Sequence, residues 1–249
     1  MKHGIWILLF LILFTRFILV RPNYKDGQAL KINGTIYSEP SSSGSLLFFN
    51  LSQIKIKLET NEKIHYGDFV SIVGIYKNGE LTNAKLLSLK VSNNIFTKIR
   101  KSLISFYESS LPKTPASLVG GITIGAKSNL SYNFKQKLVN SGTSHIVVAS
   151  GTNVTILAGF LTYLFIGKFS RRKTLLLVVI SIWSYTLITG FEAPIIRATI
   201  MSTIASTSLI FGKVANSLRY TSITALIMLI LVPYWLTDIG FILSFATTI

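Results

Sequence analysis

The sequence predicts an α-helical polytopic membrane protein with a small all-β domain inserted on the extracytoplasmic side. Three observations predict it. Of 249 residues, 49% are hydrophobic and 14% charged, where a soluble domain carries about 25% charged residues. The apolar residues bunch into long runs near the start and through the second half. Between these runs, Arg21 to Lys113 is polar and breaks into short alternating stretches, the mark of strands with one buried face.

The net charge of +16 suits nucleic acid, anionic lipid or cytoplasmic loops equally. Without cysteine there is neither a disulfide framework nor a thiolate metal site. His3, His65 and His145 are too scattered for a histidine cluster, so neither a metal nor a cofactor is expected.

Residues 1–20 read as an N-terminal anchor helix. Ile5 to Val20 is almost wholly apolar, and Arg21-Pro22-Asn23-Tyr24 offers no small-x-small cleavage site. Residues 21–92 form the β domain, with strands expected at Ala29–Tyr37, Leu46–Asn50, Gln53–Leu58, Asp68–Tyr76 and Leu81–Leu89. Asn78-Gly79 between the last two is a hairpin signal, because both turn positions need positive φ. Five strands of this length suit an OB-like barrel.

Residues 93–140 read as interfacial or re-entrant. Ile95 to Leu111 sets Ile95, Phe96, Ile99, Leu103, Phe106 and Tyr107 against Lys98, Arg100 and Lys101, a basic amphipathic helix lying on a bilayer. Pro115 to Gly125 is apolar but about half the length of a span. Residues 141–249 then hold the spanning candidates 145–167, 174–189, 194–212 and 221–236. A last one begins at Ile239, so the bundle is expected to be incomplete at its C-terminal end. Lys168, Arg171, Arg172 and Lys173 crowd one loop, and Lys213 and Arg219 another, whereas the connections around Glu192 and Asp238 carry no cation. The basic loops are therefore cytoplasmic, the β domain outside and the N-terminus inside.

Three polar clusters lie in the bundle. Ser141-Gly142-Thr143-Ser144-His145 runs into Ala149-Ser150-Gly151-Thr152-Asn153, whose small and hydroxyl residues permit close helix approach or a broken helix. Arg197 precedes Thr199, Ser202, Thr203, Ser206 and Thr207, whose hydroxyls share one helix face. Asp238, Gly240, Phe241 and Ser244 form the third, and Asp238 is expected to compensate Arg197, which would cost about 2.5–3.5 kcal/mol alone at the bilayer centre. Plain packing competes with each reading. Hydroxyls in spans often bond back to their own helix, a lone histidine is often structural, and an arginine can snorkel.

The run from Ser141 to Val154 resembles the signature of the ComEC competence-protein family, with its Gly142, His145 and Ser150-Gly151. Arg197-Ala198-Thr199-Ile200-Met201 is similar to the family's Arg-Ala-x-x-Met segment. Asp238-Ile239-Gly240-Phe241-Ile242-Leu243-Ser244-Phe245 is similar to its Asp-x-Gly-Phe-x-Leu-Ser-Phe segment. Gly34 and Gly67-Asp68 sit where the family's extracellular OB-like module has them. The resemblance implies a multi-pass channel in the bacterial plasma membrane that carries single-stranded DNA inward during natural transformation. A surface DNA receptor and a cytoplasmic ATPase are its implied partners, and self-association into a homo-oligomer is left open. It makes Gly142, His145, Ser150, Gly151, Asn153, Arg197, Asp238, Gly240, Phe241 and Ser244 the candidate residues of the DNA path, with no catalytic role among them. At Asn153 the family usually has histidine or another polar residue.

Two other classes compete. Ser150 and His145 suggest an intramembrane serine hydrolase, but five residues apart on one helix their side chains diverge by about 140°. The third reading is a non-transporting anchor that presents the β domain to a partner.

Overall fold

The computed structural model describes residues 24–37, 40–43, 46–51, 54–60, 64–126, 132–143, 149–212, 217–237 and 239–246, with Thr15, Glu62 and Leu130. The expected anchor, Ile5 to Val20, lies outside the described residues apart from Thr15. The chain divides into two compact units: Tyr24–Asn153 with Ser184–Glu192, and Met1–Asn23 with Val154–Trp183 and Ala193–Ile249.

The first unit is built on one six-stranded sheet. Its strands are β1 (Ala29–Thr35), β2 (Ser41–Ser43), β3 (Leu46–Leu51), β4 (Ile54–Glu59), β5 (Phe69–Lys77) and β6 (Glu80–Lys90), in the order β1-β5-β6-β4-β3-β2. Neighbours are antiparallel except β4 and β6, which run parallel. The β5–β6 hairpin turns where the sequence predicts. Asn78 and Gly79 both have positive φ, 50° and 83°, and Lys77 pairs with Glu80. In β4 the alternation is complete: Ile54, Ile56 and Leu58 are buried, while Lys55, Lys57 and Glu59 face out. Together with Ile32, Ile36, Phe49, Val70, Ile72 and Leu81 they make the core, each such side chain contributing about 1.5–3 kcal/mol by burial.

The five expected strands are present with ends shifted by up to two residues, and β2 is additional. Ser41 to Ser43 has no apolar alternation to announce it. It joins the sheet through backbone pairing with β3, Ser41 opposite Phe48 and Ser43 opposite Leu46.

Helix α1 (Ile95–Ser110) starts at Asn94, whose side chain accepts from the Phe96 N–H. Its apolar stripe is not the one the composition suggests. Ile95, Ile99 and Phe106 are exposed, whereas Arg100 is 3% exposed and faces inward with Thr97. Arg100 therefore does not belong to a basic outer face with Lys98 and Lys101. Two residues beyond Lys98 it is rotated by about 200°, onto the side that packs. The short apolar segment is α2 (Lys113–Ile124), followed by α3 (Tyr132–Asn140).

The later helices are α4 (Gly151–Phe165), α5 (Arg171–Thr189), α6 (Ala193–Ile210), α7 (Ser217–Leu231) and α8 (Ile239–Ala246). Of these, α5 with 19 residues and α6 with 18 are long and apolar enough to cross a membrane; α4 and α7 are apolar but shorter. The expected span 221–236 is interrupted. α7 stops at Leu231 and a 3-10 turn, Pro233–Thr237, follows, because proline has no N–H to continue the helix. Within the second unit two hydroxyls of α6 bond back to the helix itself. Thr203 donates to the Thr199 carbonyl (2.7 Å) and Thr207 to that of Thr203 (2.8 Å), and Trp183 Nε1 donates to Thr203 Oγ1 at 3.1 Å. That is the packing reading of those residues.

Candidate functional site

An α-helix leaves its last four carbonyls without intrahelical donors. The end of α2 shows how this chain meets that requirement inside a packed unit. Gly125 follows the helix with φ +70°, a left-handed conformation open to glycine, and donates to the Gly121 carbonyl, while Ala126 donates to that of Gly120. The next three carbonyls are taken by side chains from three other elements. Asn153 Nδ2 donates to Ile122 (2.6 Å), the Tyr185 hydroxyl to Thr123 (2.6 Å), and the Arg100 guanidinium to Ile124.

Arg100 also donates to Ile188 (2.7 Å) and Thr189 (3.2 Å), at the end of α5. Two helix C-termini thus converge on one buried cation. Each carries about −0.5 of an elementary charge, so the guanidinium matches their sum. The arginine lies over the ring of Tyr66 from the β domain, 5.1 Å from its centroid, and the Tyr66 hydroxyl donates to the Leu187 carbonyl at 3.2 Å. A Cβ on Gly125 would stand 3.3 Å from the Thr189 carbonyl oxygen, so the two helix ends approach at that glycine.

The β domain is joined to α1 at Gly67-Asp68. Asp68 is fully buried, and its carboxylate accepts from the His65 and Ser92 N–H groups, both at 2.9 Å. Gly67 has φ +89°, and a Cβ there would fall 2.5 Å from Thr97 Cγ2 on α1.

Two clefts open at the surface of this unit. A cleft of about 400 Å³ opens between α1 and α2, and another of about 310 Å³ lies on the outer face of β3 and β4, lined by Ser41, Phe48, Asn50, Lys55, Lys57 and Glu80. In the second, Phe48 stands opposite Lys57 and Asn50 opposite Lys55. Phe48 is 38% exposed.

Of the residues singled out in the sequence, Asn153 enters the α2 terminus. Gly142 has φ +70° just past α3, where its N–H donates to the Val139 carbonyl. Ser150 and Gly151 form the start of α4, and the Ser150 carbonyl accepts from the Asn153 N–H. In the second unit Arg197 lies over the ring of Phe245 at 5.6 Å, and Phe241 packs on Phe245 with centroids 4.6 Å apart. His145 and Asp238 lie outside the described residues, as does the side chain of Ser244, which with Gly240 belongs to α8. Arg100, Tyr185 and Tyr66 carry no sequence signal for this site. Among the described residues no group of three or more His, Cys, Asp or Glu could hold a metal.

The same segments identify the class. Residues 122–249 match the family model described as Competence protein, so the chain belongs to that family, the ComEC type. It is similar to ComE operon protein 3 of Bacillus subtilis (strain 168), 25% identical over 225 residues, which is 90% of this chain and 27% of the relative. The chain therefore spans about a quarter of that relative's length. No solved structure matches it.

Proposed function

We infer that this chain is a bacterial plasma-membrane component for uptake of single-stranded DNA during natural transformation, the front part of a multi-pass channel. The family match through 122–249 carries the reading, since it takes in the segments around Asn153, Arg197 and Phe241. The sheet order agrees. The order β1-β5-β6-β4-β3 with a parallel β4–β6 pair supports an OB-like barrel, a fold that binds single strands. The lysine and arginine bias supports a cytoplasmic loop at Lys168 to Lys173 and an extracytoplasmic β domain. In this scheme the barrel receives the strand and the helices provide its path, with a surface receptor and a cytoplasmic ATPase as partners. A polyanion needs such a lining, because bare phosphates cannot enter hydrocarbon.

The anchor reading draws on one observation. The Thr203 and Thr207 hydroxyls of α6 donate to their own helix, which favours packing over a polar lining at those two positions. Uptake of labelled DNA separates the two readings, measured in cells lacking the gene and complemented with wild type or Arg197→Ala. Surface-bound DNA accumulating without entry in the deletion supports the channel. Entry unchanged in the deletion overturns it, and rescue by the β domain alone establishes the anchor.

A further inference from the structure

We propose that Phe245 is the positioning residue of Arg197, its ring holding the guanidinium for the phosphates of an entering strand without neutralising it. This rests on the proposed part in DNA uptake and adds to it the support of one arginine. Arg197 stands in the second turn of α6, half-buried, with its guanidinium carbon 5.6 Å from the centroid of the Phe245 ring. A cation there is drawn to the electron-rich face of the ring, and the attraction grows as water is excluded. In the proposed orientation this end of α6 faces outward, where a strand arrives.

The ring is itself held in place. Phe241 and Phe245 are one helical turn apart on α8 and share a face, with centroids 4.6 Å apart and planes tilted by 47°. Trp235, in the 3-10 turn that begins at Pro233, stacks on Phe241 at 6.3 Å and 19°. Three rings in succession thus lead to the guanidinium. Phe241 and Phe245 are 6% and 8% exposed, too closed for a base to stack on them, so the rings serve the arginine and not the strand directly. A carboxylate in the place of Phe245 would cancel the charge and take up to two of the five guanidinium N–H donors. A ring stabilises the cation, carries no net charge and offers no lone pair to those donors. A polyanion arriving at the outer end of α6 then meets a cation that this support has not neutralised.

The test is a double-substitution cycle on the full chain in detergent, read by thermal unfolding, together with DNA uptake by the same variants in cells lacking the gene. Phe245→Leu should lower Tm by about 2–8 °C more in the wild-type background than in Arg197→Met, the worth of one desolvated cation–ring contact in a chain of this size. Mono-, di- and trifluorophenylalanine at position 245 drain charge from the ring face at nearly constant volume. They should lower uptake stepwise at an unchanged level of the protein in the membrane, and Phe245→Tyr, which keeps the ring, should retain it. If Phe245→Leu costs the same Tm in both backgrounds, the ring only packs and the assignment is wrong. If Asp238→Asn couples to Arg197→Met and Phe245→Leu does not, the carboxylate holds the arginine and the ring has no part in it. If Phe245 couples to Arg197 but uptake ignores the fluorine series, the contact is structural and the positioning role is refuted. If uptake is unchanged even in the deletion, the proposed function falls, and the cycle in Tm, which involves no DNA, still decides whether the ring holds the arginine.

Discussion

Replacing Arg100 with methionine should cost about 3–5 kcal/mol, the range for removing one member of a buried charged set. The structure gives a second route to the same figure. Methionine keeps most of the volume but leaves the Ile124, Ile188 and Thr189 carbonyls without this donor in a site where Arg100 is 3% exposed. All three bonds come from Nη1, which has two hydrogens, so they count as about two charged hydrogen bonds at roughly 1.5–3 kcal/mol each. Two helix ends also lose their counter-charge, at about 0.3–2 kcal/mol per end. Against these losses stands the desolvation of the guanidinium, several kcal/mol that methionine does not incur. The difference is a few kcal/mol, of the same order as that range. Thermal unfolding of the full chain in detergent reads it, as a fall of about 6–20 °C in Tm.

Arg100→Lys separates charge from shape. Lysine keeps the cation but loses the planar fork and the stacking on Tyr66, and should recover no more than about half the loss. Lys98→Met, two residues away on the exposed side of α1, should change stability by about 0.5 kcal/mol or less. If Arg100→Met unfolds within about 1 kcal/mol of wild type, on the scale of an ordinary surface change, the counter-charge reasoning fails.

Two further substitutions probe the joints around the site. Gly67→Ala places a Cβ 2.5 Å from Thr97 Cγ2 at a φ of +89° and should cost about 1–3 kcal/mol in the same unfolding assay, whereas unchanged stability would mean that α1 does not press on the β domain there. Asn153→Leu leaves the Ile122 carbonyl without its donor and should cost about 1–3 kcal/mol, while Asn153→His, which keeps an N–H, should recover part of it; equal loss in both would remove the capping role.

Much of the β domain was legible because its cause is local. An alternating strand such as Ile54 to Leu58 states its own buried face, and Asn78-Gly79 states its own turn. The helix ends were not legible, because their partners are distant in sequence. Arg100 and Ile188 are separated by 88 residues, and a helix with lysines at 98 and 101 reads as basic throughout until packing selects one side of it. The same blindness hid β2, which depends on backbone pairing alone. Pro233 was visible in the sequence yet outweighed by the apolar run around it, and its missing N–H still ended α7.

The signature segment takes on a different meaning from this. Gly142 lies past α3 with the positive φ that a helix terminus favours, Gly151 opens α4, and Asn153 donates to the end of α2. What position 153 requires is an N–H donor within reach of the Ile122 carbonyl, a demand that histidine can also meet. That accounts for a polar residue there without placing it in a pore. Residues joined in this way act on any strand path through the position of the helices they fasten. Changes at Asn153 and Arg100 should therefore alter DNA entry together with stability, whereas a true path residue would alter entry alone.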